Sequence, residues 1–169
     1  MSDRGLRGYR RLFGSGPPGI LATLVLFAVA KVAADRVPNG EIHGSSAVSL
    51  AAAVTFGLAA LALAIASTTS LPPDQRGRGV CRTGAYRWFR HPLYASFLLG
   101  TLGLALYLDH WIYLAWAVLL HPIWHVLVRH EEGLMLETFG QPYADYARVT
   151  GRFVPRFWRP PRHDDPADP

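Results

Sequence analysis

Long apolar runs, rather than strict alternation, dominate the hydropathy pattern of this chain. Residues 47–66 carry no charged side chain, and about 20 such residues cross the hydrocarbon core of a bilayer as a helix. Residues 20–34 form a shorter run that includes Lys31, whose stem can lie along apolar surface while its ammonium reaches water. Residues 92–108 and 111–128 are two further runs, parted only by Asp109 and His110. That spacing predicts a tight helical hairpin. The pattern gives an all-α, polytopic membrane bundle of about four transmembrane helices.

Breaker residues organise the remainder. The segment 14–19 (GSGPPG) leads into the first span, and residues 37–46 form a short loop. Pro72-Pro73 stops the second helix and opens a polar connector. Beyond Arg129 the apolar run ends, yet 131–139 can continue the helix into water until Gly140-Gln141-Pro142 stops it. A short amphipathic segment at 143–149 completes a helical extension. Residues 1–162 read as a single domain with its core motifs at 84–155, and 163–169 as a disordered tail. Arginines ahead of the first run resemble a signal peptide, but Lys31, Asp35 and Arg36 stand where small residues would mark cleavage, so the run is read as a retained helix.

Charge sets the expected orientation. Arginines cluster before the first run, between the second and third, and after the fourth, whereas the two opposite loops offer Arg36 and Lys31. The positive-inside rule places both termini and the middle connector in the cytoplasm, and the bias toward Arg over Lys with Ala, Gly and Pro richness points to a bacterial inner membrane. The net charge of +5 is then a topology signal with some attraction for anionic membrane lipid, and no nucleic-acid partner is expected. The lone cysteine, Cys81, excludes an intramolecular disulfide and a cysteine-rich metal cluster.

Against this background the polar residues near 84–94 and 121–146 stand out, because charges at a membrane face are costly and tend to serve a site. Pro92 suits the first turn of a helix. It would set Arg90 and His91 beside free backbone N–H groups that favour an anion, with Tyr86, Arg87 and Tyr94 nearby. The alternative for Arg90 and His91 is headgroup anchoring, and for Trp88 and Phe89 an interfacial aromatic belt is favoured. His121, His125, Arg129 and Glu132 share one helical face. The His-x-x-x-His spacing raises a metal site, but no clear third ligand accompanies it, and none is expected. His121 reads instead as interhelical packing glue. Glu131 and Glu132 diverge by roughly 100° around the helix, with Glu132 in better phase to face inward. An anion grip on one helix and a carboxylate on the next suit a zwitterionic, amino-acid-like cofactor.

The ordered motifs G-x-Y-R-x-x-R-H-P-x-Y, then R-x-E-E and F-G-x-x-Y-x-x-Y, resemble the isoprenylcysteine carboxyl methyltransferase and phospholipid methyltransferase superfamily. They are carried by Gly84, Tyr86, Arg87, Arg90, His91, Pro92, Tyr94, Arg129, Glu131, Glu132, Phe139, Gly140, Tyr143 and Tyr146. The resemblance implies an integral membrane enzyme that uses S-adenosylmethionine from the cytosolic side and admits a lipophilic acceptor laterally. It implies cofactor contacts from Tyr86, Arg87, Arg90, His91 and Tyr94, with Glu132 on the amino group and Tyr143 and Tyr146 closing the pocket. Ser96 stands where such proteins commonly have glycine.

The expected activity is methyl transfer to a lipophilic or small acceptor: an isoprenylcysteine-type carboxylate, a lipid amine or a thiol. An amine would need deprotonation, for which His125 or Glu131 is the candidate, and Arg129 would orient an anionic acceptor. Two alternatives stand beside this. Membrane reductases of sterol-like substrates carry a similar R-H-P-x-Y element and use NADPH, and a non-enzymatic membrane protein is the third reading.

Overall fold

The computed structural model describes residues 16–42, 46–72, 75 and 77–156, which form five α-helices and no extended sheet. The helices are α1 (Gly16–Ala34), α2 (Ser46–Ser70), α3 (Pro92–Tyr107), α4 (Trp111–Phe139) and α5 (Gln141–Val149), with a 3-10 turn at Gly84–Arg87. The expected tail at 163–169 and the residues before Gly16 lie outside the described residues.

Length distinguishes the apolar helices. α1, α2 and α4 are long and apolar enough to cross a membrane, whereas α3 has 16 residues. At 1.5 Å per residue α3 reaches about 24 Å and α4 about 43 Å. The third predicted span is therefore a short helix paired with an overlong one. α4 does run on past Arg129 as expected, continuing through Pro122 to Phe139. Gly140 ends it at φ 60°, and α5 starts one residue later with Pro142 in its first turn. The outward faces carry large aliphatic residues, among them Leu24, Val29, Leu58, Leu61, Val118 and Val126, as a lipid-facing bundle requires. The chain is an integral membrane protein.

The core lies between α1, α3 and α4. Trp124 is fully buried and Trp116 nearly so, and a buried indole N–H needs an acceptor. Thr23 of α1 meets both: its carbonyl accepts from Trp116 at 3.3 Å and its hydroxyl from Trp124 at 3.4 Å. Gly19, one turn earlier, lies against the Trp124 ring with no room for a Cβ. α2 packs on α3, where Gly103 faces Phe56 and Ala53 at close range. At the hairpin tip His110 caps α4, its Nδ1 accepting from the Ile112 N–H. Ser96 folds its hydroxyl back onto its own helix, donating to the Leu93 carbonyl at 2.7 Å.

Candidate active site at one end of the helical hairpin

Because α4 is thirteen residues longer than α3, its last turns stand beyond the start of α3. Two irregular segments fill that shelf, one ahead of Pro92 and one after Val149. They run parallel and pair through Phe89 and Gly151. The Arg90 N–H donates to the Gly151 carbonyl at 2.7 Å and the His91 N–H to the Arg152 carbonyl at 3.2 Å. Gly151 is required here, since a Cβ would meet the Val154 carbonyl.

Glu132 is the hub of this corner. Its Oε1 accepts from Arg90 Nε at 2.7 Å, from Arg152 Nε at 3.1 Å and lies 3.2 Å from His91 Nε2. Its Oε2 pairs with Arg152 Nη2. The side chains of Arg90, His91, Glu132 and Arg152 are only 10%, 8%, 14% and 19% exposed, so this is a nearly buried charge network rather than a surface ion pair. Arg90 also donates to the carbonyls of Ala147 and Thr150 at the end of α5, which a helix C-terminus leaves without intrahelical partners. Arg152 Nη1 lies 2.9 Å from His125 Nδ1.

The neighbouring groups form a second tier. Tyr94 donates to Glu131 Oε2 at 3.2 Å and stacks parallel to the His91 ring at 5.7 Å. Tyr146 donates to the carbonyls of Tyr86 and Phe89 at 2.7 and 3.2 Å, fastening α5 to the segment ahead of α3. Tyr143 is buried, and its hydroxyl has no hydrogen-bond partner among the described residues. Burial pushes both phenols above the ordinary range; Glu132 reinforces the effect at Tyr143, and Tyr143 reinforces it at Tyr146.

The structure brings Arg90, His91, Tyr94, Glu131, Glu132, Tyr143 and His125 into one region, with Glu132 facing inward as its phase suggested. Several other expectations change. Arg129, on the helical face of Glu132 by its spacing, is exposed and forms no ion pair among the described residues. Arg90, His91 and Arg152 are the partners of Glu132 instead. Arg87 is exposed and lies over the Trp88 ring at 5.8 Å, and the Tyr86 hydroxyl turns toward Ser67 of α2 at 3.4 Å. Tyr146 ties α5 to the segment ahead of α3 through its hydroxyl. Phe89 packs on the core, not in a lipid-facing belt. His121 makes no interhelical hydrogen bond among the described residues; it is exposed and lies against the rings of His125 and Phe153.

Arg152 was missed from sequence. It reads there as one of an evenly spaced set with Arg148 and Arg156, yet α5 ends at Val149 and the chain breaks at Thr150-Gly151 before it. That break was the available signal.

Two grooves flank the hub. One, of about 440 Å³, is lined by His121, Pro122, His125, Val126, Arg129 and Arg152. The other, of about 290 Å³, lies between α3 and α4 beside Phe153 and Val154 and shares His121.

The architecture is thus that of a helical membrane protein with a polar site at one end of an apolar hairpin. Residues 59–142, just under half of the chain, match the phospholipid methyltransferase family model; the match covers α3 and the motif residues from Gly84 to Gly140. Membrane methyltransferase activity is what that family supports in general. No curated protein and no solved structure matches the chain.

Proposed function

We propose that this protein transfers a methyl group from S-adenosylmethionine to a lipophilic acceptor at the cytoplasmic membrane face. The observation that carries the reading is the Tyr143 hydroxyl, buried without a partner within electrostatic reach of Glu132, Arg90 and Glu131. A buried polar group without a partner is uncommon and calls for an explanation; a polar ligand edge at that position supplies one. The surrounding donor set fits an amino-acid end, with the carboxylates of Glu131 and Glu132 for an ammonium and the Arg90–His91 pair for a carboxylate.

When bound, S-adenosylmethionine supplies a methyl group on a positively charged sulfur. The protein's own residues position and enclose. Tyr94 and Tyr143 present hydroxyls, Glu131 and Glu132 hold positive charge, and Arg90 and Tyr146 fix α5 as a wall that excludes water. Displacement at such a methyl depends chiefly on alignment of the reactants, which a corner braced on three sides provides.

Calorimetric titration of the detergent-purified protein tests this. Saturable binding of S-adenosylmethionine is expected, weakened about 5- to 10-fold in Tyr143→Phe, the value of one hydrogen bond of roughly 1–1.5 kcal/mol. Binding of NADPH in its place would move the protein to the membrane reductases and overturn the reading.

A further inference from the structure

Glu132 gathers more positive charge than one carboxylate balances. Nitrogens of Arg90 and His91 reach it, and Arg152 reaches it twice, whereas a carboxylate offers about four acceptor positions in all. Both guanidiniums are permanently charged. The acid that would hold an ammonium group is therefore already filled. A further cation beside it, with every present partner kept, would be left buried without compensation, which is costly. One partner has to give way.

The partners are not held alike. Arg90 also donates to the carbonyls of Ala147 and Thr150, so its departure would strip the end of α5 of donors that a helix C-terminus needs. The His91 ring is buried, stacked on Tyr94 and set edge-on to Phe153. Arg152 is the most exposed of the set. Among the described residues its side chain bonds to no backbone carbonyl, only to Glu132 and to Nδ1 of His125. It also lines the open groove with His125 and Arg129, so its guanidinium can turn into water without crossing the core.

We infer that Arg152 is an internal stand-in for the ligand's ammonium group: it occupies Glu132 until that group displaces it, and its release uncovers His125. The inference rests on the amino-acid-end reading above. A guanidinium only donates hydrogen bonds, so its contact with His125 Nδ1 at 2.9 Å makes that nitrogen the acceptor and leaves the ring hydrogen on Nε2. His125 is thus a capped imidazole, not the free base expected from sequence. With Arg152 turned out, Nδ1 becomes an open acceptor on the groove wall. The imidazole is then presented in step with occupancy of the neighbouring site. The same competition lowers apparent affinity, because a ligand that needs Glu132 open binds only the fraction of molecules in which Arg152 has left it.

The test is calorimetric titration of the full chain in neutral detergent with S-adenosylmethionine and with its analogue lacking the α-amino group. Arg152→Gln should bind S-adenosylmethionine about tenfold more tightly than the parent, as freeing a site for a charged hydrogen bond does, and should bind the analogue with unchanged affinity. A residue that merely braced the corner would give the opposite sign. Because the variant also loses stability, the parent supplies a second measurement. Diethyl pyrocarbonate acylates an unprotonated imidazole nitrogen, and peptide mass spectrometry should find His125 modified severalfold faster with saturating S-adenosylmethionine. His110, bonded through both ring nitrogens at the other end of the hairpin, should be unaffected. Equal or weaker binding of S-adenosylmethionine by Arg152→Gln, equal tightening for both compounds, or unchanged or slower modification of His125 would overturn the inference and leave the cofactor reading standing. Absence of binding by parent and variant alike would overturn both.

Discussion

Removing the charge of Glu132 while keeping its shape should release the whole corner. In Glu132→Gln the guanidiniums of Arg90 and Arg152, 10% and 19% exposed, lose the one carboxylate that compensates them both. Taking one partner from a buried ion pair costs about 3–5 kcal/mol, because the remaining charge is left in a poorly solvating place. A chain of this size shifts its melting temperature by about 2–4 °C per kcal/mol. The detergent-solubilised variant should therefore melt roughly 6–20 °C below the parent.

The partner change separates this from a general packing defect. Arg152→Gln loses the bonds to both oxygens of Glu132 and the contact with His125. Arg90 and His91 still hold the acid, so the loss is about 1.5–3 kcal/mol, the value of charged hydrogen bonds. The double variant should fall short of the sum by about 1–3 kcal/mol, as directly bonded residues do. Intrinsic tryptophan fluorescence on heating reads all four proteins. A Glu132→Gln protein within 2 °C of the parent, or strictly additive losses, would refute the hub.

Three further outcomes follow from the same geometry. The phenols of Tyr143 and Tyr146 have raised folded-state values, so their contribution to stability is complete below the ordinary tyrosine value near pH 10 and is lost as the pH climbs through the folded values; ultraviolet titration should find at least two of the seven tyrosines resisting ionisation until the fold opens, and simple titration of all seven would refute it. Gly140→Ala places a Cβ on a backbone at φ 60° and ψ −134°, a region that costs a side chain about 1–3 kcal/mol, and should expose α5 to trypsin; unchanged digestion would mean that the α4–α5 junction relaxes freely. Gly19→Ala drives a methyl into the Trp124 ring, an overpacking worth about 1–3 kcal/mol, and should shift the tryptophan emission; an unaltered spectrum would mean that α1 does not pack as described.

Much of the fold was legible because membrane helices announce themselves by length and lack of charge. The turn at Asp109-His110, the stop at Gly140 and the start at Pro92 all followed from local backbone preferences and fall where expected. What the hydropathy of residues 92–108 could not give was the consequence of one missing turn in α3. The site residues divide in the same way. Those fixed by helical phase, Glu132 and His125 on α4 and Tyr94 on α3, were readable, because spacing along one helix determines which side chains share a face. Those fixed by where an irregular segment crosses another were not. Arg129 and Arg152 are both arginines near the end of the chain's apolar region, and only the fold of 150–153 back onto 89–91 decides which one reaches Glu132.

The unequal hairpin also explains how so polar a corner is tolerated. Had α3 matched α4 in length, Glu132 would have faced another helix along the membrane, and its three partners would have had to come from within apolar spans, where charges are dear. By ending early, α3 leaves a shelf. The two segments that fill it satisfy their own backbone by pairing with each other, which non-helical chain near a membrane must do. The same pairing delivers Arg90, His91 and Arg152 to Glu132 from the water side. One short helix therefore accounts for the location of the hub, for its composition and for the apolar slot that begins beside it. Extending α3 by one turn with Ala-Leu-Leu-Ala ahead of Pro92 should consequently break the Phe89–Gly151 pairing and free the segment after α5 for proteolysis, with the helical content of the bundle unchanged.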